Sequence, residues 1–427
     1  MFTLSDLGTQ FRHTTLSNGT RVVIFERPGM PVYLRACFLS GSRFDVGGKD
    51  GTAHFLEHML VAGTKKFPSK DKLAAYIEQY GGVFGATTSL DFVNINTGIG
   101  DPADLNKAFE VLHEILFESS FDEKTFKNER GSILSELRDH LSSPGNMVWD
   151  VAGRLIFQDT PLAKSILGSR DTIEAITKKD VIDFFHNNMT ADRMILVASG
   201  GVTLEDISER AEQLLIFPSS QKAILDKQLP IIRKRTTDIE QFSGKEQIHM
   251  ALGFRTVPAH HKDGFALDVI AEALGGGRAS VLTKELRYKR GLVYGVSAIQ
   301  RDFSDAGAFI IKTSCSKGKL QEVLDIISSV LARVGAVGLL EDELVFAKEK
   351  IIKSKRMKLQ SSASWVNFHT YQQLLSSEPW TLIDYLNNIS LVSQNGAKEI
   401  AKEYLDTDKW YLALCGDISD NQVRVDL

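Results

Sequence analysis

The segment Gly51-Thr-Ala-His54-Phe-Leu-Glu57-His58-Met-Leu-Val61 brings two imidazoles and a carboxylate into a short run. Phe55, Leu56, Met59 and Leu60 supply the apolar positions of a buried helix. On that helix His54 and His58, four apart, share one face about one turn, or roughly 5.4 Å of rise, from each other. Two imidazoles so placed can both reach one Zn2+ at about 2.0–2.1 Å. Glu57 adjoins the second histidine and lies three from the first. Its carboxylate is expected to take a proton from water at the metal and later deliver it to a leaving amine. The order H-x-x-E-H is the inverted form of the zincin helix. A lone histidine in such a helix is more often a satisfied core residue, and it is the trio that points to metal.

Catalytic zinc usually takes three protein ligands and keeps one position open. The best donor of the third is the helical segment Phe126-Lys-Asn-Glu129-Arg-Gly-Ser-Ile-Leu-Ser-Glu136-Leu-Arg-Asp139. Glu129 and Glu136, seven apart, fall on one face after two turns. One can ligate zinc while the other orients a ligand or shares proton traffic. Spacing does not choose between them.

These helices belong to a chain that repeats itself. Val32-Tyr-Leu-Arg-Ala-Cys-Phe-Leu-Ser-Gly41 resembles the strand-like run from Ile248 to Val257, an offset of 216 from 32 to 248. The helical pattern from Leu105 through Ile115 returns from Leu320 to Val330, an offset of 215 from 105 to 320. Arg193–Gly200 returns as Lys409–Gly416, again 216 residues on. A constant offset across most of the chain argues for duplication. The expected domains are residues 1–217, carrying the histidine helix, and 241–427, without metal ligands. Between them, the polar, proline-containing stretch from Pro218 to about Gly244 reads as a linker, 218–240, plus the first strand of the second domain. Each copy mixes hairpin-like strands with long helices and lacks βαβ alternation. The expected class is α+β, a mainly antiparallel sheet in each domain covered by helices on one side.

Composition agrees with a folded, water-exposed protein of 427 residues, too long for one ordinary core. A hydrophobic fraction of 43% with 24% charged residues excludes a disordered chain. A net charge of -4 gives no basic field, so nucleic acid is not an expected partner. Cys37, Cys315 and Cys415 are odd in number and sit in apolar runs, which favours reduced core thiols. No secretory signal and no membrane-length apolar run is visible. A reduced, cytoplasmic location and no membrane partner are the corresponding expectations.

His54-x-x-Glu57-His58 followed by the Asn-Glu129-Arg…Ser-Glu136-Leu helix resembles the pitrilysin or insulysin family of inverzincin metallopeptidases. The single duplication and chain length resemble the branch that holds mitochondrial processing peptidase subunits and small bacterial relatives. The resemblance implies a zinc-dependent endopeptidase with one Zn2+ per chain and unfolded peptides as substrate. It makes Glu136 the third ligand and Glu129 an accessory glutamate. It also maps an Arg-x6-Tyr element onto Arg287 and Tyr294, whose guanidinium and phenol can donate to a substrate carbonyl and its oxyanion. Without it, Arg287 reads as a surface charge and Tyr294 as an interior strand residue. In the first copy Phe84 and Ile77 stand where Tyr294 and Arg287 stand in the second, so each copy keeps half an apparatus.

The resemblance further implies that each chain forms one half of a clam shell enclosing a chamber. The expected assembly is a homodimer, or a heterodimer with a related subunit, with active sites completed in trans. An edge strand, Gly82-Val-Phe-Gly85-Ala86-Thr87-Thr88, is expected to take up substrate by main-chain hydrogen bonding through Gly85, Ala86 and Thr87. This chain departs from the family there, with Gly85 for the usual Asn and Val93-Asn94-Ile95 for the usual Thr-x-Tyr. The alternative function is a non-catalytic peptide-binding or scaffold subunit of a heterodimeric peptidase or respiratory complex. Retention of the metal-site residues and of the Arg/Tyr pair weighs against it. The glycine run Gly275-Gly-Gly is not followed by a Lys-Ser/Thr pair and reads as an inter-helix turn.

Overall fold

A computed structural model describes residues 3–218, 229–231, 234–376, 378 and 380–418. The first part runs β1 (Gln10–Thr15), β2 (Arg21–Glu26), β3 (Val32–Phe38), α1 (Thr52–Ala62), α2 (Lys70–Glu78), β4 (Val83–Thr88) and β5 (Val93–Ile99). It continues with α3 (Leu105–Phe117), α4 (Glu123–Leu141), α5 (Pro144–Ile156), α6 (Arg170–Ala175), α7 (Lys178–Asn188), β6 (Met194–Gly200) and α8 (Leu204–Leu214). The second part runs β7 (Thr236–Gln241), β8 (Gln247–Thr256), α9 (Gly264–Gly275), β9 (Val293–Asp302) and β10 (Gly307–Ser316). It ends with α10 (Leu320–Val337), α11 (Glu341–Lys358), α12 (Ser362–Leu375), α13 (Leu382–Leu391), α14 (Gln394–Tyr404) and β11 (Tyr411–Gly416).

The duplication is written in the sheets. One has the order β1-β2-β6-β3-β5-β4 and the other β7-β11-β8-β10-β9. With β1 set aside, the two orders coincide strand for strand. In each sheet one pair is parallel, β2 with β6 and β7 with β11, and the other neighbours are antiparallel. Helices α3 and α10 begin at Leu105 and Leu320, the offset of 215 expected from the sequence.

Each sheet owns a core. On β3 the alternating Val32, Leu34, Ala36 and Phe38 enter the first; on β8, Ile248, Met250, Leu252 and Phe254 enter the second. Cys37, Cys315 and Cys415 are buried free thiols, as expected. Among the described residues no single helix is long and apolar enough to cross a membrane.

The packing units are not the contiguous ranges 1–217 and 241–427. One compact unit comprises Met1–Leu137, Lys164–Ile224 and Arg356–Ile383; the other comprises Arg138–Ala163, Leu225–Lys355 and Asp384–Leu427. The repeats therefore exchange a helix. α5 lies on β7, β8 and β11 of the second unit, and its counterpart α12 lies on β3 and β6 of the first. Both sit on the sheet face opposite the main core, so helices cover both faces rather than one side. Phe25, on that opposite face, meets Trp365 and His369 of α12 at ring-centroid separations of 5.4 Å and 4.0 Å. A linear reading assigns a helix to the strands nearest in sequence, and so misses the exchange. The strand expected between Pro218 and Gly244 is β7, Thr236–Gln241, and it overlaps the range given to the linker. The linker boundary at 240 falls inside β7, a polar strand at the sheet edge that pairs with β11. Residues 219–228, 232 and 233 of that linker lie outside the described residues.

Gly253 on β8 is what lets α5 approach, since a Cβ there would stand 2.3 Å from Ile156 Cδ1. Gly253→Val is expected to overpack this contact and destabilise the fold by about 1–3 kcal/mol. A urea unfolding midpoint unchanged from wild type would contradict the seating of α5 on β8.

Candidate metal centre

α1 is placed by its buried side. Phe55, Leu56, Met59 and Leu60 are almost completely shielded from solvent, so the helix cannot rotate without exposing several large side chains, each contributing about 1.5–3 kcal/mol. Its first turn has no side-chain cap of its own residue. Asp45 supplies one, accepting from the Gly51 and Ala53 N–H groups at 2.7 Å and 2.9 Å. Burial pushes the Asp45 carboxyl up to about 7 against those two bonds. Gly51 takes φ +99°, a left-handed conformation that spares it Cβ strain.

α4 docks on α1 through Phe126, whose ring stacks on Phe55 with centroids 4.6 Å apart and planes at 20°. Phe126, Ile133 and Leu137 are the buried residues of α4. Glu129 and Glu136 each follow one of them by three positions, which turns both carboxylates toward the histidine face of α1. The structure separates their positions where spacing did not. Glu136 Oε2 lies 3.7 Å from His54 Nε2 and 3.5 Å from His58 Nε2. Glu129 Oε2 instead bonds the other ring nitrogen of His58, Nδ1, at 2.9 Å.

The three groups converge: one ligand atom from each of His54, His58 and Glu136 lies within 4.8 Å of the others. Arms of about 2.0–2.1 Å in a tetrahedron set ligand atoms roughly 3.4 Å apart. The two imidazole-to-carboxylate separations are within a few tenths of an ångström of that value. Two nitrogens and an oxygen, with no thiolate, form a donor set that suits zinc. The Glu129 bond to His58 Nδ1 leaves Nε2 facing Glu136, the arrangement a metal-ligating imidazole uses.

Burial, and then the nearby His58, bring His54 down to about 4, so it is a neutral donor at ordinary pH. Burial acts in the same direction on His58, but the hydrogen bond and charge of Glu129, followed by Glu57 and Glu136, outweigh it and raise its pKa. Burial raises Glu57, opposed by the hydroxyl and amide of Thr88 at the end of β4. Asp45 and Thr88 were not singled out in the sequence. Neither carries a motif, since each acts through a contact made only in the fold.

β4 is the sheet edge, as expected for the substrate strand. The Ser89 N–H bond to Phe92 O closes the β4–β5 hairpin at 2.8 Å. Thr88, Ala86 and Phe84 are then in the pairs whose main-chain groups turn away from β5. Of Gly85, Ala86 and Thr87, Ala86 alone offers its N–H and C=O to the open edge. Arg287 and Tyr294 belong to the second unit, Arg287 on a π-helical turn (Thr283–Tyr288) and Tyr294 on the edge strand β9. The guanidinium lies 4.9 Å from the Tyr294 ring centroid. Tyr294 is 83% exposed and so is no interior strand residue.

Residues 21–170 match the family model for insulinase, peptidase family M16, and residues 175–351 match the model for the peptidase M16 inactive domain. The chain belongs to peptidase family M16. It is 27% identical over 402 residues to an uncharacterized zinc protease of Bacillus subtilis, covering 94% of this chain and 97% of that one. Identity is 26% over 422 residues to mitochondrial-processing peptidase subunit beta of Bos taurus, covering 95% and 84%. Among solved structures, a peptidase M16 inactive domain from Pseudomonas fluorescens matches with a TM-score of 0.88 at 20% identity, covering 96% and 99%. A protease from Helicobacter pylori matches at 0.87 and 23% identity, also covering 96% and 99%. These structural likenesses establish the M16 fold. The sequence matches support the short-chain branch expected from the chain length and the single duplication.

If Glu129 orients His58 and Glu136 is a ligand, their substitutions should differ. Glu129→Gln is expected to weaken zinc binding about 10- to 100-fold, and Glu136→Ala to weaken it further. Competition against a chelating dye at neutral pH measures both. An equal loss in the two variants would contradict this division of roles.

Proposed function

We propose that this M16 chain is a zinc-dependent endopeptidase that hydrolyses unfolded peptides within an enclosed chamber. The observation that carries the reading is the convergence of His54, His58 and Glu136, with Glu57 one residue from a member of the set. Zinc is the cofactor, one ion per chain, held by those three residues. The ion supplies Lewis acidity, which makes water acidic enough to deprotonate near neutral pH and polarises a carbonyl.

The chain's own groups do the rest. Glu57 accepts the proton of the attacking water on a carboxylate oxygen. It returns that proton to the amide nitrogen as the C–N bond breaks. Its burial raises the proton affinity of the carboxylate, which suits a group that must both take and give a proton. Glu129 fixes the His58 ring. The open edge of β4 receives the peptide as an added strand, and main-chain bonding of this kind is indifferent to most side chains. Arg287 and Tyr294 donate to the carbonyl oxygen as it gains charge.

Because one unit keeps the metal residues and the other the Arg/Tyr pair, the partner is a second copy or a related subunit, with sites completed in trans. Names among the relatives, zinc protease and processing peptidase subunit beta, support a peptidase that works in pairs.

A quenched fluorescent peptide tests the chemistry. Glu57→Gln is expected to lower kcat by about 10²–10⁴-fold, the usual worth of a general base, and a chelator to abolish cleavage reversibly. Chelator-resistant turnover would sink the reading. The composite site is tested by mixing Glu57→Gln and Tyr294→Phe chains: recovery of activity above either alone is expected, and a mixture as inactive as its parts would refute assembly in trans.

A further inference from the structure

We propose that Gly85, Asn96, Arg35 and Asn367 form a subsite that selects peptide substrates carrying a carboxylate. The inference rests on β4 being the edge that receives the peptide. An added strand alternates its side chains between the two faces of the sheet. On one face it meets Phe84, Ala86 and α1. On the other, where α12 lies, it passes Val83, Gly85 and Thr87.

Gly85 makes a gap in that second face, since a Cβ built there meets nothing within 4 Å. The cross-sheet row behind the gap is Asn96, directly opposite Gly85, and then Arg35, directly opposite Asn96. Arg35 Nε donates to Asn96 Oδ1 at 2.5 Å, and its Nη2 donates to Asn367 Oδ1 of α12 at 2.5 Å. Each amide oxygen therefore accepts from the guanidinium, which leaves the Asn96 Nδ2 as the donor on the Gly85 side. Asn96 Nδ2 makes only a long 3.5 Å contact, with Gly85 O. Among the described residues no carboxylate forms an ion pair with Arg35. The nearby Asp91 is already held by Arg43 at 2.7 Å and by the Tyr371 hydroxyl at 2.5 Å.

The surface beyond Gly85 thus carries one cation and N–H donors, and among the described residues no carboxylate neutralises them. A lysine meets a like charge there, and a neutral amide gains only hydrogen bonds to an uncharged acceptor. A carboxylate accepts from Asn96 Nδ2 and from the guanidinium edge together, as charge-assisted bonds. Because Gly85 contributes no side chain, a glutamate on the added strand can cross β4 and reach them.

The probe is a matched set of labelled, unstructured peptides carrying Glu, Gln or Lys at successive positions, each with a free or amidated C-terminus. They are titrated by fluorescence anisotropy against the full-length Glu57→Gln chain loaded with zinc, so that discrimination is read without turnover. At one position Glu should bind about 10-fold tighter than Gln, the scale of a hydrogen bond to a charged group. Arg35→Met and Gly85→Leu should each bring that ratio to about 1. Arg170→Met, an exposed arginine of α6, should leave it intact.

A preference that follows the free C-terminus instead supports the same carboxylate chemistry and assigns it to the chain end. Equal affinities for Glu and Gln peptides, or a preference that survives both Arg35→Met and Gly85→Leu, overturns the subsite. If the ratio behaves as expected while the wild-type chain cleaves none of the peptides, the subsite stands and the peptidase reading falls. Cleavage of all peptides with no discrimination removes the subsite and leaves the peptidase reading standing.

Discussion

The candidate centre depends on how two helices meet. α1 carries its histidines on the side left over after Phe55, Leu56, Met59 and Leu60 have been buried, and α4 reaches that side because Phe126 stacks on Phe55. The stack, worth about 0.5–1.5 kcal/mol beyond the area it hides, matters more for register than for stability. A shift of α4 by one residue turns Glu129 and Glu136 about 100° around its axis and separates both from the imidazoles. The bond from Glu129 to His58 then locks the register from the polar side. Apolar and polar contacts specify the same alignment, and such agreement between levels is what makes a site rigid.

Much of this was legible because helices obey a period. His54 and His58 at a spacing of four, and Glu129 and Glu136 at seven, define helix faces by arithmetic alone. The duplication was legible for a similar reason, since a constant offset survives while individual residues drift. What the sequence did not carry were contacts between segments remote along the chain. Spacing could not separate the glutamates, because their difference lies in which ring nitrogen each one meets. Asp45 and Thr88 act on α1 from loops and strand ends with no periodic mark. Tyr294 looked interior because it sits in an apolar run, Leu292-Val-Tyr-Gly-Val, yet β9 is a sheet edge and leaves the phenol exposed.

The exchange of α5 and α12 shows how a duplicated chain can be more than two domains in series. Each helix follows a long helix, α4 or α11, and each lands on the strands of the other repeat. The exchanged helix also brings in chemistry from afar: Tyr371 of α12 bonds Asp91 in the β4–β5 turn, and Asn367 bonds Arg35 on β3. The turn and the strand beside the metal residues are therefore braced by residues 280 and 332 positions away. Pseudo-symmetry was kept in the strand order and lost in the side chains. Where α1 carries two histidines and a glutamate, α9 is almost wholly apolar and buried. One copy can specialise in metal because the other shares the work of folding.

The charges around α1 support the same assignment by a separate argument. Glu57, Glu129 and Glu136 gather near two imidazoles, and among the described residues no lysine or arginine pairs with any of the three. Like charges at such range oppose one another, and burial adds its own penalty, which is felt in the raised proton affinity of Glu57. A protonated His58 could offset part of this, and its raised pKa reflects that pull. His54 cannot, because burial keeps it neutral. A structural role would be served at lower cost by apolar residues of similar volume. Three carboxylates left without an Arg or Lys partner among the described residues, one of them 3.5 Å and 3.7 Å from two imidazole nitrogens, instead fit a site whose balancing charge is a small dication.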